Sequence, residues 1–128
     1  RIFSFTDKNQ KIPFVIPGLI SKIQYTKQKQ LRLSNLNHYR DFLSTEDIAL
    51  AIKILGKYCK KGTYNIGSGK EINLKIIAKI IAKKYKKKIS FEKDNKPTFL
   101  ISNSSKLKRL GWKPKKFKNS INYFYSNA

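Results

Sequence analysis

The sequence predicts an α/β fold, because stretches of helical periodicity alternate with short strand-like stretches along the chain. Two stretches are clearly helical, one beginning near Ser44 and the longest beginning near Asn73. Two others, LRLS at residues 31–34 and KISFE at residues 88–92, have the period of two that is typical of strands. No repeat and no internal boundary is visible, so we expect a single domain over residues 1–128.

The first third of the chain predicts a strand, a helix and two further strands. RIFSF, residues 1–5, is typical of a buried strand, and DKNQK is a polar loop. A helix is expected over residues 13–28, with Pro17 in its first turn. LRLS is a strand, NLNH a turn and DFL, residues 41–43, another strand. The helix is expected to turn one apolar face inward, namely Val15, Ile16, Leu19, Ile20 and Ile23.

The middle of the chain carries two helix-start signals. Ser44 is a good N-cap, and Asp47 three residues later makes a variant of the capping box. Asn73 is expected to cap the longest helix. Between them, GTYNIG at residues 62–67 is expected to form a strand that ends in a glycine turn. The expected buried faces are Ile48, Ala51, Ile52 and Leu55 on the first helix, and Leu74, Ile77, Ile81 and Tyr85 on the second.

The last third predicts a strand, an extended segment and a short helix. KISFE is followed by DNKPTFLIS, which is expected to be extended because the residue before a proline avoids helix. SSKLKRLG predicts a short helix, capped by Ser102 or Asn103 and ended by Gly111 in the left-handed conformation. NSINYFYS predicts a final helical or irregular piece.

The formal net charge is +22, from 29 Lys and Arg residues against 7 Asp and Glu. Such a charge is typical of proteins that bind nucleic acid or anionic surfaces. However, the lysines interrupt helical stripes as a solvated face would, and aromatic residues are not interleaved with them as in a single-strand binding platform. A composition rich in Lys, Ile and Asn is also typical of AT-rich genomes. Nucleic-acid binding therefore stays the less favoured alternative.

Several classes of site are excluded or disfavoured by residue type. Cys59 is the only cysteine, which excludes an internal disulfide, fits a reducing cytoplasm and favours a packing role. His38 is the only histidine, so neither a histidine triad nor a zinc site has its ligands. GSGK, residues 67–70, lacks the full phosphate-loop spacing and is followed by Glu71, which favours a tight turn. No apolar run reaches the length of a membrane span.

The chain contains no methionine and begins with what reads as the middle of a strand. We therefore expect it to be the C-terminal portion of a longer protein.

Five motifs occur in one order along the chain: RIF at a strand, FVIP before a helix, YRDFLSTEDIA, GTYNIGSG and SKLKRLGWKP. In this order they resemble the C-terminal part of the extended short-chain dehydrogenase/reductases, the NAD-dependent sugar-nucleotide epimerases and dehydratases. The resemblance covers nearly the whole chain. It implies the substrate-binding portion of a Rossmann-type fold without the N-terminal dinucleotide-binding half, whose sheet residues 1–5 and 62–67 would join.

The resemblance also implies a nucleoside-diphosphate-sugar site. Arg40 matches the arginine that contacts the diphosphate in the family, and a guanidinium offers a planar fork of donors to phosphate oxygens. The alternative is a structural ion pair of Arg40 with Asp41 or Asp47. Lys96 replaces a second phosphate-binding arginine and keeps only the charge. The remaining substrate-site positions differ from the family pattern and are Ser4, Leu33 and Ser34.

Other matched positions are expected to be structural. The negative charge of Asp47 is expected to stabilise the N-terminus of its helix, and Asp41 is expected to orient Arg40 or nearby backbone. Asn65 and Gly67 match a scaffold strand, and Trp112 a packing anchor.

The family's glycine-rich dinucleotide turn and catalytic Y-x-x-x-K are not in the chain, and the spacing of Tyr25 and Lys29 is a chance match. The resemblance therefore implies NAD(P) in the intact enzyme and none bound by this chain alone, which should be inactive by itself. It implies a nucleoside-diphosphate sugar, the N-terminal half and a homodimeric intact enzyme as partners, with no membrane. The setting would be the cytoplasm and sugar supply for surface polysaccharide. An inactive remnant of such an enzyme remains an alternative.

Overall fold

The computed structural model describes residues 1–58, 61–93, 95–115 and 117. Its helices and short strands alternate, which confirms the predicted α/β class. No helix in these ranges is long and apolar enough to cross a membrane. The elements, in chain order, are β1 (Phe5–Thr6), α1 (Val15–Gln24), β2 (Gln30–Leu33), β3 (His38–Arg40), β4 (Leu43–Ser44), α2 (Thr45–Tyr58), β5 (Ile72–Asn73), α3 (Leu74–Lys84), β6 (Lys88–Phe91), β7 (Thr98–Leu100) and α4 (Ser105–Lys108).

The chain divides into two compact units, each made of separate segments. Unit 1 contains Arg1–Asn9, Arg40–Glu71 and Leu100–Ala128, and unit 2 contains Gln10–Tyr39 and Ile72–Phe99.

Unit 1 is built on parallel strand contacts beside α2. β1 pairs with β4, with Phe5 opposite Leu43. Ile2 forms an isolated parallel bridge with Ile66. The predicted strands RIFSF and GTYNIG are confirmed only in part, since β1 is limited to Phe5–Thr6 and residues 62–67 form no strand. The predicted burial of RIFSF is wrong at Ile2 and Phe5, which are exposed. The apolar core beneath them removes large side chains from water, each contributing about 1.5–3 kcal/mol to stability. It consists of Leu43, Ile48, Ala51, Tyr64, Ile66, Leu107 and Trp112.

Unit 2 combines two helices with short sheets. β2 pairs with β6 in parallel, from Gln30 opposite Lys88 to Leu33 opposite Phe91. α1 packs against α3, and the remaining strands lie in the order β5-β3-β7. The buried side chains repeat with helical spacing on α1 and α3, as their apolar stripes predict. They are Ile16, Leu19 and Ile23 on α1, and Leu74, Ile77, Ala78, Ile81 and Ala82 on α3.

Residue types at the helix starts predicted two N-caps correctly. The Ser44 hydroxyl accepts a hydrogen bond from the Asp47 N–H at 3.2 Å, which confirms the predicted cap of α2. The Asn73 side chain accepts from the Lys75 N–H at 2.8 Å and caps α3. Gly111 has the predicted left-handed conformation, with φ +91°, but α4 ends at Lys108 and not at Gly111.

Several predictions of element bounds and of burial were wrong. Val15, predicted to face inward on α1, is 41% exposed. α1 begins at Val15 and ends at Gln24, so it is shorter than residues 13–28. Ile52 is 56% exposed, because only a narrow face of α2 meets the core. The single strand at residues 41–43 is replaced by β3 and β4, since Asp41 between them turns its carboxylate into the protein interior. Cys59 and the whole predicted piece NSINYFYS lie outside the described residues.

Candidate functional site

Arg40 is the last residue of β3, and its side chain is half-buried. The backbone after it is held on both sides. The Asp41 N–H donates to the Leu100 carbonyl at 3.2 Å, and the Leu43 N–H donates to the Ser4 carbonyl at 3.0 Å. Arg40 therefore projects from a fixed piece of backbone in unit 1, where predicted substrate residue Ser4 also lies.

The carboxylate of Asp41 is fully buried and bound by four donors. Oδ1 accepts from the Ser68 N–H at 2.7 Å and from the Ser68 hydroxyl at 2.6 Å. Oδ2 accepts from the Gly69 N–H at 2.8 Å and from the Ser102 N–H at 3.1 Å. We call these four groups the Asp41 clamp. A buried charge is tolerated only when hydrogen bonds replace its hydration, and the clamp supplies them.

Gly67 makes the Asp41 clamp sterically possible. A Cβ atom at this position would lie 2.7 Å from Asp41 Oδ2 and 2.6 Å from the Ser102 Cβ, and it would also overlap the Ser102 hydroxyl. These separations are shorter than real Cβ contacts. Glycine is thus required at position 67 because Asp41 and Ser102 approach its backbone closely. The sequence predicted only a glycine turn after a strand. Asn65, two residues before Gly67, donates from its side-chain amide to the Asn103 carbonyl at 3.1 Å.

A second buried carboxylate, Asp47, ties the start of α2 to the C-terminal segment. It accepts from the Ser44 hydroxyl at 3.1 Å and from the Lys115 N–H at 3.0 Å. The indole N–H of fully buried Trp112 donates to the Asp47 carbonyl at 3.0 Å. Asp41 and Asp47 thus each accept hydrogen bonds from backbone N–H groups and from a serine hydroxyl.

Asp7, in the loop after β1, adds a third acid at the start of α2. Its carboxylate accepts from the Thr45 hydroxyl at 2.7 Å and from the Asn9 N–H at 2.8 Å. These hydrogen bonds hold the pKa of the Asp7 carboxyl below its ordinary value. A lowered folded-state pKa means that this tie stabilises the fold at neutral pH and is lost as the pH falls through that pKa.

Unit 2 holds the remaining predicted substrate residues. Leu33 is only 2% exposed on β2, which favours a packing role, whereas Ser34 and Lys96 are exposed. The side-chain amide of Asn95 donates to the Asn35 side-chain oxygen at 3.2 Å. Ser34 and Lys96 each lie beside one of these asparagines, so unit 2 brings their two loops together.

The backbone N–H groups of the glycine turn, residues 67–70, are not available to bind a dinucleotide phosphate. The N–H groups of Ser68 and Gly69 donate to Asp41, and the Lys70 N–H donates to the Ser68 hydroxyl at 3.0 Å. Because a phosphate loop needs such groups free for the ligand, GSGK does not fit NAD(P).

Comparison with protein families decides the relationship. The model of the family described as GDP-mannose 4,6 dehydratase matches residues 3–123. The chain belongs to this family. No curated protein sequence matches it significantly. Membership of the GDP-mannose 4,6 dehydratase family confirms the predicted resemblance to the extended short-chain dehydrogenase/reductases, since solved structures of similar fold include epimerases and dehydratases.

Three solved structures illustrate the similarity. RMD from Pseudomonas aeruginosa, complexed with NADPH, has a TM-score of 0.83 at 24% identity, over 98% of this chain and 46% of that one. dTDP-glucose 4,6-dehydratase from Bacillus anthracis, in complex with NAD, has a TM-score of 0.75 at 22% identity, over 99% of this chain and 44% of that one. UDP-N-acetylglucosamine 4-epimerase from Methanobrevibacter ruminantium, in complex with UDP-N-acetylmuramic acid, has a TM-score of 0.71 at 22% identity, over 100% of this chain and 46% of that one. This family member thus spans less than half the length of each.

Proposed function

We propose that this chain is the sugar-nucleotide-binding portion of an NAD(P)-dependent epimerase, dehydratase or reductase. The observation that carries the proposal is the family match over residues 3–123. The chain's coverage of less than half of its structural neighbours supports a division of labour. In that division, another part of the enzyme supplies the dinucleotide site and the redox chemistry.

The role assigned to the residues of this chain is to bind the diphosphate. The Arg40 guanidinium donates a fork of hydrogen bonds to two phosphate oxygens, a geometry that lysine does not reproduce. Lys96, which is exposed, adds a point charge. The proposal includes a homodimeric intact enzyme in the cytoplasm that supplies sugars for surface polysaccharide, which rests on analogy within the family.

Titration calorimetry with GDP, UDP and dTDP tests the proposal on this chain. At least one of the three should bind. Arg40→Ala should weaken that binding about tenfold or more, because hydrogen bonds to charged groups contribute about 1.5–3 kcal/mol. Arg40→Lys should recover only part of the loss.

Arg109→Ala is the matched control, since Arg109 is exposed at the end of α4 and its removal changes the net charge equally. Its affinity should stay within about twofold of the parent value. If no nucleotide binds, or if Arg40→Ala and Arg109→Ala have the same effect, the proposed function is overturned.

A further inference from the structure

The residue that follows Arg40 carries a feature that diphosphate binding does not by itself require. The Asp41 side chain is 0% exposed, and three backbone N–H groups and one hydroxyl take the place of a cationic partner. We propose that Asp41 is a positioning residue for Arg40, holding the backbone from which the guanidinium reaches the diphosphate. This inference rests on the proposed function.

The donors of the Asp41 clamp come from two distant segments. Ser68 and Gly69 lie 27 and 28 residues after Asp41, and Ser102 lies 61 residues after it. One carboxylate therefore joins the end of β3 to the glycine turn and to the segment before α4. With the bond from the Asp41 N–H to the Leu100 carbonyl, the residue next to Arg40 has five hydrogen bonds within unit 1.

The Asp41 clamp needs a carboxylate rather than an amide. Both oxygens of Asp41 accept two hydrogen bonds each. In Asp41→Asn, one oxygen becomes an NH₂ group that faces other donors, so two accepted bonds are lost and donor meets donor. The side chain has little room to move towards Gly67, because even a Cβ atom added there would lie 2.7 Å from Asp41 Oδ2. The turn and β3 must then shift apart, and Arg40 with them.

Asp47 provides a matched comparison within the same unit. It is also buried, at 2% exposure, and its carboxylate also joins distant segments, through Ser44 and Lys115. Its contacts lie at the start of α2 rather than beside Arg40. A residue that only stabilises unit 1 should behave like Asp47, whereas a positioning residue should affect binding beyond its effect on stability.

The experiment measures two quantities on each variant of the full chain: the affinity for whichever of GDP, UDP and dTDP the parent chain binds, and the free energy of unfolding by denaturant. Asp41→Asn should weaken nucleotide binding about tenfold, close to Arg40→Ala. Asp47→Ala should lower stability while leaving the affinity within about twofold.

Serine variants test the same inference if Asp41→Asn does not fold. Ser68→Ala removes one hydroxyl donor from the Asp41 clamp and should weaken nucleotide binding about threefold. Ser104→Ala removes another buried hydroxyl, whose Oγ has no hydrogen-bond partner in the described structure, so it should leave the affinity unchanged.

The outcomes separate this inference from the proposed function. If Arg40→Ala weakens binding but Asp41→Asn does not, Asp41 is not a positioning residue and the proposed function stands. If Asp41→Asn does not fold, equal affinities for Ser68→Ala and Ser104→Ala overturn the inference in the same way. If Asp41→Asn and Asp47→Ala lose nucleotide affinity equally, Asp41 only stabilises unit 1 and is not a positioning residue. Failure of the parent chain to bind any of the nucleotides overturns both.

Discussion

At the scale of single residues, Gly67 is the position where one added carbon should do most damage. A methyl group there would overlap Ser102 and lie 2.7 Å from Asp41 Oδ2. Gly67→Ala should therefore lower the free energy of unfolding by about 1–3 kcal/mol, the usual cost of overpacking. Denaturant unfolding followed by tryptophan fluorescence measures it, because Trp112 is the only tryptophan and lies in the core of unit 1.

Gly56→Ala is the control for this prediction, and its expected sign is opposite. Gly56 lies inside α2, and a Cβ there would meet nothing within 4 Å. Alanine should raise stability by about 0.5–1 kcal/mol, since glycine is the poorer helix former. If both substitutions shift the unfolding midpoint equally, the close approach at Gly67 is not limiting.

The Asp41 clamp marks the limit of what residue types along the chain can predict. The motif YRDF placed Asp41 beside Arg40, but its partners Ser68 and Ser102 are distant in sequence and have no special local pattern. Only GSG suggested a tight turn. Hydrogen bonds between distant segments depend on how the strands are arranged, and periodicity alone does not specify that arrangement.

At the scale of elements, local chemistry predicted helix starts better than helix lengths. Ser44 and Asn73 cap their helices because an N-cap needs only a side-chain oxygen near the N–H two or three residues on. The exposed face of α2 was harder to predict. Ile52 follows Ala51 directly and would be buried if a wider face of α2 were packed, yet it is 56% exposed. The width of the buried face therefore depends on what packs against α2 and not on the helix sequence alone.

The cap of α2 predicts a measurable loss. Ser44→Ala removes the acceptor of the Asp47 N–H and the donor to the Asp47 carboxylate, and it should cost about 1 kcal/mol. Thermal and urea unfolding of the full chain measure it. Ser104→Ala is the comparison, because Ser104 precedes α4 without a side-chain cap bond and should cost much less. Equal losses would mean that the Ser44 cap does not stabilise α2.

At the scale of the whole molecule, the residues predicted to contact substrate are divided between the units. Arg40 and Ser4 belong to unit 1, and Ser34 and Lys96 to unit 2. Motif order along the chain predicted the family, which the family match confirms. The division could not be read from the sequence, since each unit is assembled from separate segments and no linker-like composition marks the change.

The charge of +22 predicts how stability depends on salt. A net charge this far from zero destabilises the compact state by self-repulsion, whereas exposed ion pairs such as Lys115–Glu46, at 2.8 Å, contribute little. Salt screens the repulsion more than it weakens such pairs, so the free energy of unfolding should rise between about 0.02 M and about 0.3 M NaCl. KCl at equal ionic strength should give the same rise, because screening depends on ionic strength rather than on the cation. A fall with salt would instead mean that attractive ion pairs dominate, and the even spread of lysine along the chain argues against that.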